Sequence, residues 1–168
     1  MSRQSEGDRI DARQAQWARE LSDVDTRGMA ILGRARLITL SARPRIERVF
    51  VEHGLDPGEF DVLSTLLRSG PPYRLRPTEL YRSLMISSGG LTDRLKRLTA
   101  AGLVHRPAAS GDGRSLPVEL TEEGRARAEA AFRSDMKVES DMLGKMTAKE
   151  LADLAKLLRR LVLTLDSE

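Results

Sequence analysis

The chain has 168 residues, of which 40% are hydrophobic, and it contains no cysteine. This length is enough for one domain with an apolar core of its own. The absence of cysteine excludes thiol catalysis, a disulfide framework and thiolate zinc sites. No apolar run approaches the ~20 residues that span a bilayer, and the polar N-terminus lacks a signal-peptide pattern. We expect a soluble, cytoplasmic protein that uses no cofactor, no metal and no membrane.

The positive charge is concentrated in one part of the chain. The net charge is only +3, yet residues 74–114 carry eight basic and three acidic side chains, a net charge of +5. Such an accumulation is typical of a module that binds a polyanion, and the alternative is the solvated face of an arginine-rich protein. Nucleic acid is therefore a candidate partner.

The first part of the chain is predicted to be helical. Residues 8–21 form a short helix, and residues 29–53 form a longer one in which Pro44 is expected to cause a kink or a break. The next helix begins at Asp56-Pro57, because proline is favoured in a first helical turn. The segment SGPPY, residues 69–73, ends it.

The central segment predicts two short helices followed by a hairpin. Thr78 is expected to cap the first helix, and Ser87 or Ser88 the second, which Gly102 closes. Two strands follow, joined by AASGDGR, at residues 103–107 and 115–120. This order describes a winged helix-turn-helix. The predicted fold class is therefore mainly α, an α+β winged helix-turn-helix with a small β-hairpin wing and a helical dimerisation region from both termini.

The C-terminal part predicts two long helices. Residues 121–143 form the first, and Thr147 begins the second with the capping box Thr-Ala-Lys-Glu. The second carries one leucine seam, made of Leu151, Leu154, Leu158, Leu161 and Leu165. The terminal helices have more apolar surface than the central module covers, which favours a homodimer over an intramolecular helical cap. The predicted parts are N-terminal pocket and dimerisation helices at 1–54, the DNA-binding module at 55–120 and dimerisation helices at 121–168.

The second central helix separates into an apolar and a polar face. Leu91, Leu95 and Leu98 share the inner side, and Gly89, Asp93, Lys96 and Arg97 lie opposite. Glycines in the first turn permit close approach to a phosphate or a base edge, and the serine hydroxyls with the free N–H groups form a phosphate site. The residues expected at a nucleic acid are Thr78, Arg82, Ser87, Ser88, Gly89, Gly90, Thr92, Asp93, Lys96 and Arg97.

Arg94 belongs to neither face of this helix. It borders the leucine stripe and points sideways or inward, so its guanidinium needs a partner. The first interpretation is a structural ion pair with an acid on a neighbouring helix, for which Asp61 is the candidate.

Residues 55–125 resemble the DNA-binding core of the MarR family of bacterial transcription regulators. The matching stretch is RPTELYRSLMISSGGLTDRLKRLTAAGLVHR, followed by the wing DGR and by SLPVELTEEG. The resemblance implies a homodimer with interlocked terminal helices, bound to a pseudo-palindromic double-stranded DNA operator. It also implies that the second helix enters the major groove, that Arg114 enters the minor groove and that Asp112 positions Arg114.

A finer resemblance, to a urate-responsive subgroup of this family with an extra N-terminal helix, covers nearly the whole chain. It implies a ligand pocket formed by Trp17, Asp61, Arg94 and Arg106, so that Arg94 becomes a ligand residue. An anionic purine requires guanidinium donors, an aromatic surface and an acceptor. The implied function is a repressor released from DNA by urate or a related purine. The alternative ligand is a phenolic or aromatic carboxylate.

Two other classes of function were weighed against a DNA-binding regulator. An enzyme is disfavoured, because His53 and His105 are far apart in the sequence and neither has a nucleophile–base motif around it. A winged helix that binds another protein is the stronger rival. The outward cations and the wing arginine argue against it, and a steep salt dependence of duplex binding distinguishes the two.

The wing assignment makes a direct prediction. Arg114→Ala is expected to weaken operator binding several-fold, because a minor-groove cation is lost, while the fold stays intact. Affinity is measured by fluorescence anisotropy on labelled operator DNA, and circular dichroism provides the control for folding. Unchanged affinity contradicts the minor-groove role.

Overall fold

A computed structural model describes residues 7–84, 90–106 and 116–167. The helices are α1 Arg9–Glu20, α2 Arg34–Glu52, α3 Pro57–Arg68, α4 Pro77–Ser83, α5 Leu91–Ala100, α6 Glu122–Leu143 and α7 Ala148–Leu165, and a π-helical turn, Met29–Gly33, precedes α2. The strands are β1 Arg74–Leu75, β2 Val104–His105 and β3 Val118–Leu120. The chain divides into two compact units, residues 1–45 and 46–168. No described helix is long and apolar enough to cross a membrane.

In the first unit, α1 is fixed at its N-terminal end. The Asp8 carboxylate accepts the backbone N–H groups of Ile10 and Asp11, and the Asp11 carboxylate accepts the N–H of Asp8. Arg34 then bridges both carboxylates, at 2.8 Å from Asp8 and 2.6 Å from Asp11. The α1 cap is thereby joined to the beginning of α2.

The predicted break at Pro44 is wrong, because α2 runs through this residue from Arg34 to Glu52. Proline removes one intrahelical hydrogen bond, which leaves the carbonyl of Leu40 without its usual donor. Leu40 and Pro44 are both exposed, so water can satisfy that carbonyl and the helix continues. The boundary between the two compact units falls just after Pro44, behind Arg45.

The second unit is built around α3. Phe50 at the end of α2 stacks on Phe60 of α3, with ring centroids 4.1 Å apart. Leu63 and Leu66 of α3 are fully buried, and α3 contacts α4, α5, α6 and β3. The end of α2 and six further elements, namely α3, α4, α5, α6, β2 and β3, thus bury apolar side chains in one cluster.

The second wing strand, β3, also pairs with a strand, β1, that was not predicted from the sequence. β3 lies between β1 and β2, and both pairs are antiparallel. Glu119 lies opposite Arg74 on one side and His105 on the other. β1 has only two residues, too few for an alternating pattern to be visible in the sequence. The connecting wing residues, 107–115, lie outside the described residues.

The observed caps confirm some predictions and correct others. Asp56 caps α3 and Thr147 caps α7, each through a capping box, and Gly102 follows α5 with a positive φ of 69°. Thr78 does not cap α4: the N-cap is Arg76, whose N–H is bonded to Glu79. The reason is Pro77, which forces the preceding residue into an extended conformation and suits the first helical position.

A corner between β3 and α6 explains the Leu-Thr-x-x-Gly pattern. The Thr121 hydroxyl accepts the N–H of Gly124 and donates to the carbonyl of Gly102 at 2.7 Å. The Thr121 N–H also bonds to the carbonyl of Leu103. A Cβ built on Gly124 would collide with that carbonyl and would lie 2.8 Å from its carbon. The motif therefore joins α6 closely to the residues that end α5.

The buried face of α6 consists of small residues and one acidic residue. Gly124, Ala128 and Ala131 are buried, and Asp135 follows on the same face of α6 with 5% exposure. Burial, together with the charge of Glu139, raises the pKa of Asp135 to about 6. Because the folded-state pKa is raised, this carboxyl stabilises the fold at low pH, and that contribution is lost as the pH rises through about 6.

Gly124→Ala is expected to lower the free energy of unfolding by about 1–3 kcal/mol, because the added methyl group meets the Leu103 backbone. Urea denaturation followed by circular dichroism measures the change. Gly144→Ala, at the other end of α6, is the matched control, since its Cβ would lie 3.4 Å from the nearest atom, the carbonyl oxygen of Asp141. Equal effects of the two substitutions contradict the close approach.

Candidate nucleic-acid interface

Helices α4 and α5 form the predicted helix-turn-helix pair. Leu91, Leu95 and Leu98 of α5 are at most 9% exposed, which confirms the inner face derived from the helical period. Asp93 and Lys96 are exposed on the other side, with Lys96 Nζ 3.4 Å from the Asp93 carboxylate. This contact lies between two solvated groups and holds Lys96 only weakly.

A cleft of about 690 Å³ opens between α4 and the beginning of α5. It brings together four of the residues predicted to contact a nucleic acid, all exposed, which are Thr78, Arg82, Gly90 and Thr92. The cleft therefore offers two hydroxyls, a guanidinium and an open backbone position on one surface. Such groups are suited to phosphate oxygens and base edges.

The cleft also contains Tyr81, which the sequence analysis did not select. Its side chain is 56% exposed and lies in the cleft with Thr78, three residues earlier on the same face of α4. An exposed tyrosine combines a hydroxyl donor with a flat apolar ring. The helical spacing from Thr78 was the signal that could have identified it.

Gly90 directly precedes the first turn of α5. Gly90 is the N-cap of α5 and has a φ of 79°, a conformation that favours glycine. The predicted cap is therefore corrected from Ser87 or Ser88 to Gly90. Ser87, Ser88 and Gly89 lie outside the described residues, so their predicted phosphate contacts stay predictions.

Arg97 does not extend freely from the outer face of α5. Its guanidinium bonds to Asp56 at 2.6 Å and to Glu59 at 2.7 Å, at the beginning of α3. The hydrogen bond to Glu59 is the largest cause of a raised pKa for Arg97. The helical angle alone predicts that Arg97 lies on the DNA side, but it does not show that two acidic residues of α3 meet Arg97 there.

Arg94 lies against the same turn of α3. A Cβ built on Gly58 would meet its Nε and would lie 2.7 Å from its Cζ, so the guanidinium passes directly over the glycine. Asp61 follows Gly58 by three residues, shares its helix face and is 7% exposed. Arg94 is half-buried, which agrees with the sideways or inward direction expected for it.

The other two predicted ligand residues, Arg106 and Trp17, belong to different units of the chain. Arg106 is exposed and follows β2 directly, whereas Trp17 belongs to the first unit and is 45% exposed. Trp17 lines a groove of about 730 Å³ between α1 and α2, where Arg13 and Arg36 supply positive charge. The sequence analysis did not select these two arginines.

The wing assignment rests on residues that the structure does not describe. Asp112 and Arg114 lie within residues 107–115, outside the described residues. Among the described residues no group of three or more His, Cys, Asp or Glu side chains could hold a metal ion.

Helices α4 and α5 together with the sheet define a winged helix-turn-helix, the class whose second helix enters the major groove of DNA. We call α5 the recognition helix. Its apolar stripe is buried, and its other side, together with the cleft, is exposed.

Sequence comparison then identifies the family. A family model described as MarR family matches residues 53–115. The HTH-type transcriptional regulator PecS of Dickeya dadantii is 35% identical over 86% of this chain and 87% of its own length. The HTH-type transcriptional repressor Rv2887 of Mycobacterium tuberculosis is 34% identical over 71% of this chain and 84% of its own length. The chain belongs to the MarR family, whose members are transcription regulators and not enzymes.

Solved structures of related proteins agree with this assignment. Rv2887 in complex with salicylic acid superimposes with a TM-score of 0.61 at 30% identity, over 84% of this chain and 99% of that chain. A mutant MarR from E. coli gives a TM-score of 0.64 at 26% identity, over 78% of this chain and 96% of that chain. The fold predicted from the sequence is therefore confirmed, and one similar protein binds an aromatic carboxylate.

Proposed function

We propose that this chain is a homodimeric repressor that binds a pseudo-palindromic DNA operator and is released by a small anionic ligand, such as urate or a related purine. The observation that carries the DNA-binding part is the exposed cleft of the helix-turn-helix. Thr78, Tyr81, Arg82 and Thr92 line it, and the apolar side of α5 is buried in the core. Only the polar side of the recognition helix is therefore available to a partner.

The chemistry of this surface fits DNA. Arg82 and the exposed Lys96 supply cations for phosphates, and the hydroxyls of Thr78, Tyr81 and Thr92 supply neutral hydrogen bonds that fix the register of the protein on the duplex. The cleft residues lie on α4 and at the beginning of α5, the elements that meet the backbone and the major groove in a helix-turn-helix.

The homodimer is supported by the apolar surface of α7. No residue of this helix is buried in the single chain, although it carries a continuous apolar side. Its large exposed side chains are Leu154, Leu157, Leu158, Val162, Leu163 and Leu165. A patch of this size needs a partner. A second copy satisfies it and also sets two recognition helices ~34 Å apart, the spacing of one turn of DNA.

The ligand part of the proposal concerns Arg94, Asp61 and Arg106. Arg94 is on the recognition helix and Arg106 is at the root of the wing, so an anion that engages them would act on both DNA-reading elements. The Asp61 carboxylate is an acceptor for a ring N–H of the ligand. Trp17 is included as a ligand residue only because of the family resemblance. The Rv2887 complex with salicylic acid favours an aromatic carboxylate as the second candidate.

Lys96→Ala tests the DNA surface. The operator is represented by a duplex selected from random sequence by repeated binding to the wild-type protein. We expect several-fold weaker binding and a salt slope that falls in magnitude by about 0.9, because one phosphate contact is lost. Anisotropy titrations across salt concentrations measure both quantities, and the stoichiometry should be two chains per duplex.

Lys137→Ala is the matched control for this test. Lys137 and Lys96 have similar side-chain exposure, 76% and 74%, and each lies beside one aspartate. Lys137 is on α6, outside the proposed DNA surface, so Lys137→Ala should leave the duplex affinity unchanged. If both variants lose affinity equally, the charge effect is non-specific and the assigned surface is wrong. If the duplex affinity of the wild-type protein does not fall steeply with salt concentration, a winged helix that binds another protein is favoured instead.

Arg94→Ala and Arg106→Ala test the ligand part. Urate and salicylate are titrated separately into the complex of wild-type protein and selected duplex, and release is followed by anisotropy. We expect urate to release the duplex and both variants to need at least about ten-fold more of it, because a charge-assisted hydrogen bond is lost.

Arg133→Ala, an exposed arginine on α6, is the control and should respond to urate like wild type. Release of both pocket variants at the wild-type urate concentration contradicts the pocket. If salicylate releases the duplex and urate does not, the proposed ligand is an aromatic carboxylate and not a purine.

A further inference from the structure

We propose that the first turn of α3 is the seat that holds the recognition helix, and that Arg97 is a positioning residue rather than a DNA contact. The seat consists of Asp56, Gly58 and Glu59. The inference rests on the proposed DNA binding for its functional consequence, whereas the contacts that carry it belong to the free protein.

Arg97 completes a capping box that is already reciprocal. Asp56 Oδ1 accepts the N–H of Glu59 at 2.8 Å, and Glu59 Oε2 accepts the N–H of Asp56 at 3.0 Å. Each carboxylate has one oxygen left, and Arg97 donates to both, at 2.6 Å to Asp56 Oδ2 and 2.7 Å to Glu59 Oε1. All four carboxylate oxygens therefore accept a hydrogen bond, and the guanidinium of Arg97 is bound to both side chains.

The charge of this cluster disfavours a phosphate at Arg97. One guanidinium faces two carboxylates, so the three side chains together carry a net charge of −1 at neutral pH. Glu59 is only 13% exposed, and it could not turn away from an approaching phosphate without leaving its cap. A DNA phosphate at this point would compete with two charge-assisted hydrogen bonds and be repelled by the remaining negative charge.

A second contact joins the recognition helix to the same turn of α3. Arg94, three residues before Arg97 on α5, crosses Gly58 so closely that a Cβ there would lie 2.7 Å from its Cζ. Two arginines one helical turn apart on α5 therefore lie against the same turn of α3. Two points of attachment determine the rotation of α5 as well as its distance from α3, and rotation decides which side chains reach the groove.

The seat also bears on ligand control. If an anionic ligand binds Arg94, it acts on one of the two α5 side chains that contact the first turn of α3. Arg97 then determines how far α5 can turn in response. Loss of the Arg97 contact is expected to loosen the recognition helix without removing any group that contacts DNA.

Three variants test the seat: Glu59→Gln, Arg97→Gln and Arg97→Lys. Glutamine at position 59 can still serve the capping box but loses the ion pair with Arg97. Lysine at position 97 keeps the charge needed at a phosphate, yet it lacks the fork that spans two carboxylates. A positioning role and a DNA contact therefore predict opposite results for these substitutions.

For a positioning role, each variant weakens binding to the selected duplex about 3- to 10-fold with an unchanged salt slope. Glu59→Gln combined with Arg97→Gln is no weaker than the single variants, since both remove one interaction. A DNA contact predicts instead that Glu59→Gln strengthens binding, that Arg97→Lys keeps it and that Arg97→Gln lowers the slope by about 0.9. Any of these three results overturns the proposal.

Hydrogen exchange of the DNA-free protein separates this inference from the proposed function. Mass spectrometry should show at least about three-fold faster exchange across residues 91–101 in Glu59→Gln and Arg97→Lys. Lys96→Ala, on the same helix, should exchange like wild type. Unchanged exchange in the two seat variants overturns the proposal even if DNA binding is established, and faster exchange supports it even if no duplex binds.

Discussion

The burial of Leu91, Leu95 and Leu98 in the core around α3 is the contact on which the rest of the structure depends. It orients the recognition helix with its polar side outward and determines which groups of α4 and α5 share the exposed cleft. Apolar burial has little directional preference, however, and a smooth leucine stripe allows a helix to rotate or slide. Polar contacts at the C-terminal end of α5 supply the direction that the stripe lacks.

Two kinds of contact, with different chemistry, hold this end of α5. At the end of α5, Thr121 donates to the carbonyl of Gly102, and Gly124 allows α6 to approach the Leu103 backbone. On the side of α3, the capping box of Asp56 and Glu59 receives Arg97. The recognition helix is thus attached to α6 through backbone contact and to α3 through charge. The two attachments have different sensitivities, since salt screens the ion pair and leaves the close backbone contact unaffected.

The sequence analysis predicted most elements, and its errors have identifiable causes. The helices with capping signals, such as those after Asp56 and Thr147, were predicted correctly because the cap is a local interaction. The break at Pro44 was wrong because an exposed helix can leave one carbonyl to water. β1 was missed because a two-residue strand has no period, and Tyr81 was missed because the exposure of a side chain depends on neighbours distant in sequence.

By itself the sequence determined the helical periods, the starts of α3 and α7, the winged helix-turn-helix order and the inner face of α5, because each follows from residues a few positions apart. Only the tertiary structure decided what Arg94 and Arg97 touch, since Gly58, Asp56 and Glu59 lie 36 to 41 positions earlier in the chain. An angle on a helical wheel gives the direction of a side chain but not the charge that meets it. Arg97 therefore looked like a DNA contact in the sequence and is an ion-paired residue in the fold.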